Sequence, residues 1–211
     1  MITPRRAARR LFAAALIALA VAAGCGDLRR FAYAGFGGRD SWQHPDRVVE
    51  SLEIQPGDQV ADLGSGGGYF TFRLADAVGG TGRVYAVDVD PEMNEHLRAE
   101  VAEKDYANVD VILAEYADPR LPETGVDLIF SANTYHHLQD RSKYFANARR
   151  YLQPGGRVAV IDFSPDSWLN RLFGHATDAD VIRSEMIAAG YRLERELDFL
   201  PRQHFMVFAV E

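Results

Sequence analysis

From Pro45 to the C-terminus, short apolar runs alternate with longer stretches whose apolar positions recur every three or four residues. The short runs Gln59–Leu63, Arg83–Val87, Val109–Leu113, Val126–Ala132 and Arg157–Phe163 are rich in Val and Ile and mostly apolar at consecutive positions. Strands covered on both faces by helices read this way. Between them the periodicity predicts helices over Tyr69–Val78, Pro91–Lys104 and Ser142–Leu152, with a shorter one over Pro45–Ile54 and a last one over Asp178–Ala189. Gln153-Pro154-Gly155-Gly156 is a strong helix stop. Two further strands, about Arg192–Phe199 and His204–Val210, are separated only by the break at Leu200-Pro201-Arg202, so they pair antiparallel. The alternation predicts an α/β fold with a doubly wound parallel sheet, to which the terminal hairpin adds one reversed strand.

The start of the chain follows another pattern. Arg5, Arg6, Arg9 and Arg10 precede the first acid, Asp27, and 13 apolar residues run unbroken from Leu11 to Ala23. That is well short of the roughly 20 needed to cross a bilayer as a helix. A basic start, a short apolar run and small residues at its end describe a secretory signal peptide. Ala22-Ala23-Gly24-Cys25 resembles a bacterial lipobox, in which the cysteine is lipidated and becomes the mature N-terminus, although Ala22 stands where that family most often has Leu. Arg9-Arg10-Leu11-Phe12 is faintly similar to a twin-arginine export signal. The expected organisation is a signal peptide at 1–24, a lipidated N-terminus and linker at 25–44, and a catalytic-type domain at 45–211. The expected location is the cell envelope, anchored at Cys25 and facing the periplasm; an uncleaved anchor on the cytoplasmic face is the alternative. Cleavage before Cys25 removes 24 of the 211 residues and four positive charges with no acid, leaving 187 residues and moving the net charge from −7 to −11.

Composition narrows the function. A pI near 5.4 argues against a phosphate-binding surface and so against nucleic acid as a partner. A single cysteine allows no internal disulfide and no cysteine-rich metal site. The oligomeric state is not legible.

The chemistry lies in Asp62-Leu63-Gly64-Ser65-Gly66-Gly67-Gly68-Tyr69, which follows the first strand and opens a helix. Glycines there let the backbone take positive φ and approach a ligand closely. A dinucleotide fingerprint needs a third glycine where Tyr69 stands, and Asp62 would repel a pyrophosphate while welcoming a cationic amino group. Asp88 ends the second strand, 20 residues after Gly68, where an acid is able to accept from both ribose hydroxyls. Each acid also has a plainer reading, Asp62 as a helix cap and Asp88 as part of a turn before Pro91.

Together these motifs resemble the class I S-adenosylmethionine-dependent methyltransferases, over roughly Pro45 to Glu211. The Asp-x-Gly-x-Gly-x-Gly pattern matches at Asp62, Gly64, Gly66 and Gly68, and Asp88 matches the ribose-binding acid. The resemblance implies a Rossmann-like, seven-stranded, mostly parallel sheet with one antiparallel strand, and S-adenosyl-L-methionine as cofactor. It places Val89 and Met93 beside the adenine. It makes Asp118 the counterpart of the acid that holds the adenine amino group, one place later than the usual spacing, although Asp118 reads equally as a turn acid.

After the fourth strand, Ser131-Ala132-Asn133-Thr134-Tyr135-His136-His137-Leu138 corresponds to the tract that borders the methyl group in many small-molecule members. Asn133 is then a contact for the methionine part, and His136 or His137 a proton acceptor, since imidazole titrates near neutral pH. The plainer reading has one ring packing and the other bonding a backbone carbonyl. The adjacent pair has no third ligand at recognisable spacing, so a metal site is not expected. The loop Ser164–Thr177, with Trp168, Leu169, Leu172, Phe173 and His175, reads as an apolar lid, a membrane-lying segment or an ordinary packed loop.

The expected function is methyl transfer to a small molecule or lipid. A non-catalytic binding lipoprotein on the same fold and a Rossmann oxidoreductase are the alternatives; the first draws weight from the export signal, because the cofactor is made in the cytoplasm. Palmitate labelling in bacterial cells should mark the full chain and vanish in Cys25→Ala; labelling that persists in that variant would refute the lipobox.

Overall fold

Val60, Ala61, Val84, Ala86 and Val87 are all sealed from solvent, and consecutive buried positions in a strand require cover on both faces. The structure, a computed structural model, describes residues 38–165 and 176–211. The expected signal peptide, Cys25 and most of the expected linker lie outside the described residues, as do Trp168, Leu169, Leu172, Phe173 and His175.

In chain order the elements are α1 (Arg39–Gln43), α2 (Pro45–Ser51), β1 (Gln59–Leu63), α3 (Thr71–Val78), β2 (Arg83–Asp88), α4 (Pro91–Glu103), β3 (Val109–Leu113), β4 (Val126–Ala132), a 3-10 turn at Tyr135–His137, α5 (Arg141–Ala148), a second 3-10 turn at Arg149–Tyr151, β5 (Leu152–Phe163), α6 (Ala179–Ala188), β6 (Tyr191–Leu197) and β7 (Gln203–Val210). The strands form one seven-stranded sheet in the order β3-β2-β1-β4-β5-β7-β6. The first five are parallel, and β7 runs antiparallel to both β5 and β6. On one face Val158, Val160, Met206 and Phe208 pack with Phe145 of α5 and Ile182 and Met186 of α6. On the other, Ala159, Ile161, Phe205 and Val207 pack with Val48 of α2, Leu74 of α3 and Leu97 of α4. None of the described helices is long and apolar enough to cross a membrane.

Strand order reverses between β1 and β4, so the loops leaving their carboxyl ends part to opposite faces and open a crevice. The glycine loop leaves β1 there, and the Asn133–His137 tract leaves β4.

Several boundaries differ from the sequence pattern for local reasons. Residues 39–43, expected as linker, form α1; five residues are too few to show helical periodicity. His44, at φ 45°, turns the chain sharply from α1 into α2. Helix α3 begins at Thr71 rather than Tyr69, because Tyr69 and Phe70 complete the turn out of the glycine loop. Helix α5 ends at Ala148 and tightens into a 3-10 turn. The expected stop at Gln153–Gly156 is absorbed into β5 as an irregularity: Val126 pairs with Leu152, but Leu128 pairs with Arg157.

Phe130 of β4 is fully buried, edge-on to Phe70 at 4.9 Å. Phe130→Ala should cost about 3–5 kcal/mol in urea unfolding, whereas Tyr116→Ala, at a side chain 79% exposed, should stay within about 0.5 kcal/mol.

Candidate functional site

Gly64, Gly66 and Gly68 all adopt positive φ, at 77°, 50° and 80°, which side-chain-bearing residues adopt only with strain. Two of them also leave no room for a β-carbon. One added at Gly64 would lie 2.0 Å from Thr134 Oγ1, and one at Gly68 would lie 2.6 Å from Leu97 Cδ1. The loop is therefore wedged between the tract after β4 and helix α4. Gly64 N and Ser65 N donate to Val87 O at 2.7 and 3.1 Å, tying its start to the end of β2.

Asp88 completes that tie. Its Oδ2 accepts from Gly66 N and its Oδ1 from Asp90 N, both at 2.9 Å. The neighbouring acid takes the capping role instead: Asp90 is the N-cap of α4 and accepts from Glu92 N and Met93 N. A carboxylate has about four lone-pair directions, so Asp88, oriented by two backbone donors, retains acceptor capacity at the carboxyl edge of the sheet.

Val89, the next residue, is 38% exposed, and Leu113, which pairs with Asp88 across β2 and β3, is 45% exposed. Met93 is buried beneath the loop, its Cε 3.8 Å from where a Gly67 β-carbon would be. Leu113 and Tyr116 were not singled out from the sequence; apolar residues at the end of an apolar run carry no distinguishing mark there.

Asp62 is buried below the loop and accepts from Thr71 Oγ1 at 2.6 Å. Burial raises its carboxyl to about 6; nearby Asp88 adds to the rise, while the Thr71 bond and the Arg39 charge oppose it. Arg39 comes from α1, which lies against the glycine loop. Its guanidinium stands 3.7 Å over the Tyr69 ring, and Tyr69 Oη donates to Asp40 at 2.5 Å. Gln43 is fully buried; its Oε1 accepts from Arg39 Nε, and its Nε2 has no partner among the described residues. Ser65 Oγ in the loop and Ser131 Oγ near the end of β4 are likewise buried without a partner among the described residues. Buried polar atoms are normally satisfied, so orphans in and beside this crevice fit a polar ligand.

On the β4 side Asn133 takes φ 60°, donates its backbone N–H to Ile161 O at 2.8 Å, and accepts from Gln203 Nε2 through Oδ1. His136 Nδ1 lies 2.6 Å from Asp162 Oδ1 in a contact almost closed to solvent. Asp162 Oδ2 accepts from Thr177 Oγ1 at 2.9 Å. The His137 ring lies 4.1 Å from that of His136. His136 therefore bonds a carboxylate rather than a backbone carbonyl. Asp162 was missed in the sequence, where its only signal is a lone acid inside the apolar run Arg157–Phe163. Thr177 and Gln203 carry no sequence signal at all.

Asp118 departs from this grouping. Its Oδ1 accepts from Tyr151 Oη at 2.8 Å and from Arg120 N at 2.9 Å, and its Oδ2 pairs with Arg150 at 2.6 Å. Burial raises its carboxyl, but these bonds and the Arg150 charge outweigh that and hold it below the ordinary value. These bonds join Asp118 to the turn before β5, as the turn-acid reading expects.

Residues 60–156 match the family model described as a methyltransferase domain. The arsenite methyltransferase of Halobacterium salinarum is 32% identical over 150 residues, covering 65% of this chain and 38% of that protein. Aklanonic acid methyltransferase DauC of Streptomyces sp. strain C5 is 31% identical over 113 residues, covering 54% of this chain and 51% of that protein. The chain thus spans about half or less of the length of these relatives. Among solved structures, a SAM-dependent methyltransferase from Aquifex aeolicus superposes with a TM-score of 0.78 at 24% identity, over 85% of this chain and 96% of that one, and so shares the fold.

Asp62 supplies a stability test. Its folded-state value lies above the unfolded one, so the buried charge destabilises the fold fully above pH 6 and less as pH falls toward 4. Asp62→Asn should therefore stabilise the protein by on the order of 2 kcal/mol at pH 8, with the gain fading below pH 6. Thermal melts across that range check it.

Proposed function

We propose that this chain, whose residues 60–156 match a methyltransferase domain, is a class I methyltransferase that transfers a methyl group from S-adenosylmethionine to a small-molecule or lipid acceptor by in-line displacement. The observation that carries the reading is the Asp88 clasp: a carboxylate at the end of β2, oriented by Gly66 N and Asp90 N, beside exposed Val89 and Leu113. In this reading Asp88 accepts from the ribose hydroxyls, and Val89 and Met93 border the adenine. Asp62 faces the cationic amino group, and Asn133 meets the methionine part. Lack of a third glycine at Tyr69, together with the buried acid at Asp62, speaks against a dinucleotide.

S-adenosylmethionine supplies a methyl group already activated on a cationic sulfur. What remains for the protein is alignment of donor and acceptor and exclusion of water. The close approach of Gly64 to Thr134 fixes the donor loop against the β4 tract, and so sets the distance between the two halves of the site. His136 and His137 stand on the acceptor side. Arsenite and aklanonic acid, the acceptors named for the relatives, are both small molecules, which favours a small acceptor here. We further propose that Cys25 carries a lipid that holds the protein on the envelope membrane, placing an apolar or lipid acceptor within reach.

Calorimetry on the full chain tests the cofactor. S-adenosylhomocysteine should bind, Asp88→Ala should weaken it at least about 100-fold through loss of charge-assisted hydrogen bonds, and NAD should give no heat. Affinity should also fall as pH drops below about 6, where Asp62 takes up a proton and no longer attracts the ammonium group. Failure of the native protein to bind S-adenosylhomocysteine at millimolar concentration would overturn the reading.

A further inference from the structure

Helix α1 carries a cation that lacks a counter-ion among the described residues. Arg39 is half-buried, its guanidinium lies 3.7 Å over the Tyr69 ring, and burial lowers its basicity. Asp40, the adjacent acid, bonds Tyr69 Oη and pairs with Arg73 at 3.5 Å instead. Arg39 Nε donates to Gln43 Oε1 at 2.5 Å. Because a guanidinium only donates, that bond fixes which end of the Gln43 amide is oxygen. The Nε2 end, on a side chain with no solvent exposure, is left without a partner among the described residues. An unmet buried donor is costly, and a desolvated cation beside it calls for a counter-charge. One carboxylate would meet both deficits.

The proposed cofactor carries a carboxylate in the matching place. With its ammonium group at Asp62, its carboxylate sits on the same carbon and so lies close by, where Arg39 is a cation whose charge acts on Asp62. Ser65 Oγ, buried in the glycine loop and without a partner among the described residues, is a further donor there. The same five-residue helix also reaches the acceptor side. The Trp42 ring lies 5.8 Å from Phe163 at the end of β5, and the guanidinium of Arg202, in the turn before β7, stands 5.4 Å over Trp42. A helix this short has no stability of its own, so its position rests on such side-chain contacts.

We infer that Arg39 and Gln43 hold the carboxylate of the cofactor's amino-acid end, and that this contact sets Trp42 against Phe163, so that a filled donor site builds part of the acceptor site. This rests on the methyl-transfer reading above. Arg39 and Gln43 stand four residues apart, about one helical turn, and so can grip a single group together. Trp42, between them in sequence, carries the position of the helix across to β5. Arg39 and Gln43 are binding residues in this arrangement, and Trp42 is a positioning residue. Coupling of this kind is reciprocal: whatever fixes Trp42 also tightens the hold on the cofactor.

The probes are S-adenosylhomocysteine and its decarboxylated analogue, which keeps the adenosine, the thioether and the amine. In calorimetry on the full chain, the native protein should bind the analogue about 30-fold or more weakly than S-adenosylhomocysteine. Arg39→Gln should weaken S-adenosylhomocysteine by a similar factor and the analogue less than about 3-fold, so that the two affinities converge. A packing role for Arg39 would weaken both ligands alike, and that result would overturn the proposal, as would equal affinities in the native protein. If Arg39→Gln fails to fold, Gln43→Met keeps the side-chain volume and should narrow the gap by less; an unchanged gap there is equally fatal. Trp42 has its own readout, because the chain has two tryptophans and Trp168→Phe leaves Trp42 as the sole emitter. Its emission should shift with S-adenosylhomocysteine and stay put with the saturating analogue; a shift with both, or with neither, would overturn the link to the acceptor side. Absence of binding of either ligand to the native chain instead overturns the methyl-transfer reading beneath it.

Discussion

The site depends first on the hydrogen bond from Gly66 N to Asp88 Oδ2, which completes the tie that Gly64 N and Ser65 N make to Val87 O. It fastens the loop after β1 to the end of β2, and it exists only because the two strands lie in parallel register, with Leu63 beside Val87. The loop can reach it only by taking three positive φ values in five residues. It can sit there only without β-carbons at Gly64 and Gly68, where Thr134 and Leu97 fill the space. The glycines, the acid and the strand order are thus one constraint seen from three sides. Loss of any of them would free the loop from the crevice that the sheet opens between β1 and β4.

Around that clasp the protein accepts unfavourable groupings. Asp62 is buried near Asp88, so like charges meet in a low-dielectric region and the Asp62 proton is held up to about 6. Arg39 offsets part of this from α1, although burial lowers its own basicity. Among the described residues, Gln43, Ser65 and Ser131 keep buried polar atoms without partners. Groups that cost stability and gather at one crevice are the pattern expected where a ligand supplies the missing interactions.

The acceptor side follows the same logic with different chemistry. His136 and Asp162 stand 26 residues apart in the chain and on neighbouring strands' ends, and Thr177 follows on the route to α6. Thr134, two residues before His136, is the residue that Gly64 of the glycine loop closely approaches. Asp118, on the loop after β3, is held by Arg150 and Tyr151 of the 3-10 turn that follows α5.

By itself the sequence determined the layer architecture, the parallel core with its reversed strand, and the glycine loop that opens the helix after β1. These rest on local signals: consecutive buried β-branched residues, turn glycines, and an acid at a fixed distance from a glycine loop. Boundaries set by close packing were less legible, such as the start of α3 at Thr71 and the irregularity that carries β5 through Gly155. Only the tertiary structure decided that α1 lies against the glycine loop, that His136 is held by Asp162, and that Asp118 pairs with Arg150 and Tyr151. The reason is physical: a hydrogen bond between side chains depends on which strand ends are neighbours, and no periodicity within either segment encodes that distance.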